Sequence, residues 1–147
     1  MKHRLSGFHA AVLAAMLALT PATAGAESSG PKALICKLRP DPASQGWVPE
    51  KVRVFVNPAG THAVVQDFYT DEVLGGPIEA RIEERSGKQL KLAWEMRTTD
   101  RNKVRARQVF RLVIKTKGLR ATYSTMRPRV FPRTWYEASG KCAPERK

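Results

Sequence analysis

Cysteine, histidine and acidic residues are scarce in this sequence, and each shortage removes a class of function. The 147 residues include two cysteines, Cys36 and Cys142, and three histidines. Two thiols and the single histidine of the chain's body, His62, do not make a ligand set for a metal. His62 stands beside a turn, with no triad partner that can be picked out, and reads as an exposed polar residue. Glu83-Glu84 and Asp71-Glu72 are adjacent acids. Neighbours on a strand point to opposite faces, so Glu83-Glu84 is not expected to form an acid/base dyad. No glycine-rich loop follows a strand and opens a helix to cradle phosphate. Internal repeats and low-complexity tracts are also missing. The expectation is a protein that is not an enzyme and uses neither metal nor cofactor.

Long apolar runs are missing as well. The longest, Ala10–Leu19, is short of the ~20 residues that a spanning helix needs. It follows Lys2 and Arg4 and precedes Ala24-Gly25-Ala26, a small-x-small site. That layout predicts a cleaved secretory signal peptide over residues 1–26 rather than a membrane anchor. No cysteine follows the site directly, so a lipid anchor is not expected. A single domain over residues 27–147 then remains, with 24 basic and 13 acidic residues and a formal charge of +11. In an exported chain of this size an isolated cysteine pair predicts a disulfide, here Cys36 with Cys142.

What is abundant is alternation. Ile78, Ala80 and Ile82 alternate with Glu79, Arg81 and Glu83; Leu90, Leu92, Trp94 and Met96 with Lys91, Ala93, Glu95 and Arg97; Phe110, Leu112 and Ile114 with Arg111, Val113 and Lys115. A period of two places one set inside and the other in water. Strands are expected at 33–38, 51–56, 62–67, 78–84, 89–97, 104–116, 119–126 and 135–142. Residues 68–74 have room for a helical turn. Pro40, Pro42, Pro49 and Gly46 make 39–50 a loop, in which Trp47 is expected to plug the end of the core. Asn57-Pro58-Ala59-Gly60 is a turn in which proline fixes one φ and glycine accepts a positive one.

Eight antiparallel strands in meander order predict an all-β closed barrel, with a two-sheet sandwich as the alternative. Closure removes exposed sheet edges and makes the first and last strands neighbours. Those two strands carry Cys36 and Cys142. A barrel of this size is filled by side chains or holds one small ligand.

The early cysteine, Gly46-Trp47-Val48-Pro49, Trp94-x-Met96 and the closing Tyr136-x-Ala138-x-Gly140-x-Cys142 together resemble a group of small exported bacterial β proteins with no assigned activity. In size and export the chain is also similar to the small periplasmic β-barrel inhibitors of lysozyme. Such an inhibitory role meets a charge objection, because common lysozymes are basic and would be repelled at long range.

Charge of one sign dominates the second half. Between Arg97 and Arg133 the only acid is Asp100, against twelve basic residues. Arg105, Arg107, Arg111 and Lys115 share one parity of the sixth strand and predict a basic stripe on its outer face, interrupted by Val109 and Val113. The loop before the last strand adds Arg127, Arg129 and Arg133 around Val130 and Phe131. Phe131 either folds back over the barrel end or contacts a partner. A polar outer face needs no single sign, so these arginines and Lys115 are the candidate anion-binding residues. Because the chain is read as exported, nucleic acid is not the expected partner. The expected partner is an anionic envelope component (lipid headgroup, lipopolysaccharide or peptidoglycan) or an acidic protein, met in the periplasm or outside the cell. The alternatives are a carrier of a small apolar ligand and an inhibitor of an envelope hydrolase.

Overall fold

The structure is a computed structural model that describes residues 32–99, 105–126 and 135–146. The leader expected over 1–26 and the loop residues Arg127, Arg129, Phe131 and Arg133 lie outside the described residues.

The strands are β1 (Lys32–Pro40), β2 (Lys51–Val56), β3 (Ala63–Asp67), β4 (Ile78–Arg85), β5 (Gln89–Thr99), β6 (Arg105–Lys115), β7 (Arg120–Met126) and β8 (Trp135–Pro144). Each pairs antiparallel with the next, and β8 pairs back onto β1, so the sheet is a closed eight-stranded meander and not a sandwich. The alternation read in the sequence sets the faces. Val52 and Val54 on β2, Leu92, Trp94 and Met96 on β5, and Phe110, Leu112 and Ile114 on β6 are buried. Trp94 stacks on Phe110 with centroids 5.5 Å apart and meets Tyr123 edge-on at 5.8 Å. Such ring pairs add roughly 0.5–1.5 kcal/mol each to the burial itself. These rings fill the barrel's interior.

The seam between β1 and β8 is closely drawn. Cys36 and Cys142 are directly opposite in register, both inside, and form a disulfide. Two residues along, a Cβ on Gly140 would lie 1.9 Å from the carbonyl oxygen of Lys37. No other residue type fits there without moving backbone.

The two ends of the barrel differ. Asn57–His62, Ser86–Lys88 and Thr116–Leu119 turn tightly at one end. The other end carries the β1–β2 loop and the helix α1 (Phe68–Leu74) between β3 and β4. Asp67 caps α1: its Oδ1 accepts from the Thr70 amide, and the Thr70 hydroxyl accepts from the Asp67 amide, both at 2.9 Å. Gly75 closes the helix in the left-handed region, φ 74°, donating to Asp71 O. Asp67 also faces inward, with Oδ2 3.5 Å from the hydroxyl of buried Tyr123. Burial pushes the Asp67 carboxyl above its ordinary range, and burial with the nearby Asp67 charge pushes Tyr123 well above its own.

Three expectations need correction. Trp47 does not plug the core. It lies at the surface, stacked on Tyr136 at 5.1 Å, while its neighbour Val48 goes inside. The eighth strand runs on past Cys142 to Pro144, because β1 continues to supply partners. Glu83 and Glu84 do not face opposite ways. The β4–β5 register shifts between Ile82 and Glu84, a bulge that turns both acids to the outer face.

Candidate functional site

The outer face of β4, β5 and β6 is built from cross-strand rows. Arg81 is opposite Ala93, and Ala93 is opposite Arg111. Arg97 is opposite Arg107, and Thr99 is opposite Arg105. β5 and β6 pair with each other along their whole described length, from Gln89 opposite Lys115 to Thr99 opposite Arg105. Among the described residues this two-stranded ribbon ends at Thr99 and Arg105.

Arg105, Arg107, Arg111 and Lys115 are all exposed on one face of β6. Arg127, Arg129, Arg133 and Phe131 fall outside the described residues. The four described residues do not make a bare basic stripe. Glu95 reaches two arginines, Arg97 Nε at 2.9 Å and Arg107 Nη2 at 2.5 Å. Glu83 does the same for Arg81 Nη2 at 2.9 Å and Arg111 Nε at 3.2 Å. Glu84 accepts from Lys91 at 2.6 Å, and Lys115 donates to Gln89 Oε1 at 2.6 Å. Directly opposed like charges destabilise a sheet, and a carboxylate between Arg97 and Arg107 offsets that repulsion. The pairs lie at the surface, where water screens them, so each contributes little to folding.

The cations leave their mark on the carboxylates. Hydrogen bonds from Lys91 and then Gln89 pull Glu84 from 4.5 down to about 2. Arg107, then Arg97, holds Glu95 low; Arg81 and Arg111 hold Glu83 low. All three therefore stay ionised at neutral pH, and the face works as a ladder of shared charges. At the ribbon end Arg97, Arg105 and Arg107 stand, among the described residues, around the carboxylate of Glu95. Arg105 has no ion pair among the described residues. A planar guanidinium on an exposed ribbon can take phosphate or carboxylate in two parallel hydrogen bonds.

The glutamate partners are what sequence reading passed over. A signal was present: Glu95 and Arg97, like Arg81 and Glu83, are two apart and share a face of a strand.

A separate feature is a cleft of about 740 Å³ on the side of the barrel. Its floor is the cross-strand row Ile35, Arg53 and Gln66; its walls are Val48–Lys51 and α1. The Tyr69 hydroxyl donates to Gly46 O at 2.8 Å and ties the walls together. Arg53 gives both Nε and Nη2 to Glu145 and lies 4.4 Å from the Phe55 ring centroid. The cleft's central cation is thus already satisfied. His62 lies 3.4 Å from Glu79, both well exposed. Among the described residues, no three His, Cys, Asp or Glu side chains are grouped as a metal requires.

No family model, curated protein or solved structure matches this chain.

Proposed function

We propose that this protein is an exported, non-enzymatic binding protein of the periplasm. It contacts an anionic envelope component or an acidic protein through the ribbon end of β5 and β6. The observation that supports this reading is the cluster of Arg97, Arg105 and Arg107, exposed at the described end of the β5–β6 ribbon around Glu95. The Cys36–Cys142 bridge fits an oxidising compartment. An interior filled by Trp94, Phe110 and Tyr123 weighs against a carrier of a small apolar ligand.

Elution from an immobilised sulfated polyanion tests the reading. The Arg97→Gln/Arg105→Gln/Arg107→Gln variant should elute at clearly lower salt than the unaltered protein. Glu95→Gln, which frees two arginines, should elute later. Lys117→Gln/Arg120→Gln/Lys141→Gln removes the same charge at the opposite end and should shift elution much less. Equal shifts for the two triple variants would mean that bulk charge, and not the ribbon, takes the anion.

A further inference from the structure

The barrel is polarised in a second way. Among the described residues the exposed large apolar side chains are Trp47, Phe68, Val73, Leu74 and Trp135. All five lie at one end. Trp47 is in the β1–β2 loop, Phe68, Val73 and Leu74 are on α1, and Trp135 opens β8. Phe68 is 64% exposed and Trp135 48%. The described part of the β5–β6 ribbon finishes at this same end of the barrel, so its arginines stand between α1 on one side and Trp135 on the other. The opposite end shows polar turns and no exposed large apolar side chain among the described residues.

Resting on the proposed anion-binding role of the ribbon, we infer that this end docks onto an anionic phospholipid bilayer. The apolar groups come from three separate segments around a rim, and do not line one pocket. A rigid partner would need a matching hole for each, whereas a headgroup layer yields to all of them. Rings and aliphatic side chains bury at the acyl boundary while guanidinium groups meet phosphate, and the two contributions add. Three described acids of this end are paired or turned aside: Asp71 accepts from Gln66 at 2.9 Å on the barrel's side, Glu50 lines the side cleft, and Glu95 is held between two arginines. Asp41, Glu72 and Glu137 remain exposed, and in the docked arrangement they stay in the headgroup water.

The test is co-sedimentation with vesicles of phosphatidylcholine alone or mixed with phosphatidylglycerol. The protein should bind only the mixed vesicles. Exposed Trp47 and Trp135 should shift their fluorescence to the blue, with buried Trp94 unchanged. Phe68→Ser/Trp135→Ser should keep the melting temperature and lose on the order of tenfold in vesicle affinity, as expected for withdrawing two rings from an apolar boundary. Its elution from the polyanion column should not change. Vesicle binding equal to that of the unaltered protein would overturn bilayer docking and leave the ribbon reading intact. So would a protein that ignores mixed vesicles yet is held by an acidic protein through Arg97, Arg105 and Arg107. If the arginine variant behaves normally on both column and vesicles, the ribbon reading falls as well.

Discussion

Gly140 shows how much can depend on one missing methyl group. Its alternation with Ala138 and Cys142 places it inward, and that much is written in the sequence. The approach of the Lys37 carbonyl is not, because it depends on how closely β8 is drawn against β1 once the cysteines are joined. Gly140→Ala should lower stability by about 1–3 kcal/mol or more, the range for forcing a methyl group into filled space. The adjacent bridge limits how far either strand can yield. Gly87→Ala, where a Cβ meets nothing within 4 Å, serves as the control and should leave the melting temperature nearly unchanged. Equal melting temperatures for the two variants would show that the seam is looser than described.

At the scale of elements, all eight strands and the short helix could be read from period and turn residues. β2 and α1 have the expected bounds; β3, β4, β6 and β7 differ by one residue at one or both ends; β5 and β8 run two residues further, and β1 begins one earlier and ends two later than expected. What could not be read is register. The bulge in β4 leaves no mark in the alternation, yet it turns Glu84 outward onto Lys91. That pairing has a consequence for pH. Glu84 titrates at 4.5 when unpaired and at about 2 in the folded protein. The unfolded chain therefore takes up the proton first as pH falls. The stabilisation is full above 4.5 and is lost as pH drops toward 2. Glu83 and Glu95 act in the same direction. Buried Asp67 acts in the opposite one: its folded pKa is raised, so its contribution declines as pH rises above 3.8. Melting temperatures measured from pH 6 down to pH 2 should fall on acidification, and Glu84→Gln should flatten that fall. An unaltered slope would mean that the Glu84–Lys91 contact does not persist in solution. The candidate site was half legible for the same reason. The arginines' face followed from parity, and so did the same-strand pairs Glu95–Arg97 and Glu83–Arg81, while the cross-strand pairs to Arg107 and Arg111 depend on register.

For the whole molecule the disulfide is the largest single constraint. It joins residues 106 positions apart. On the chain-entropy view a loop of that length contributes ~4–5 kcal/mol at most. Unfolded, unreduced protein should therefore titrate no thiol, and reduction should lower the melting temperature by several degrees. Two titratable thiols per chain would remove the bridge from the account. The bridge also changes what kind of object the chain is. Ala33 O accepts from the Glu145 amide at 2.9 Å, so the first and last described turns of chain lie side by side. Between Cys36 and Cys142 the polypeptide is a covalent ring, and a ring cut once is still one piece. A protease that opens any single connecting loop leaves both fragments tethered and every remaining strand pair in place. Only when the same nicked molecule meets a reductant can its halves part, so survival of a single cut is a property the protein holds in an oxidising compartment and surrenders in a reducing one.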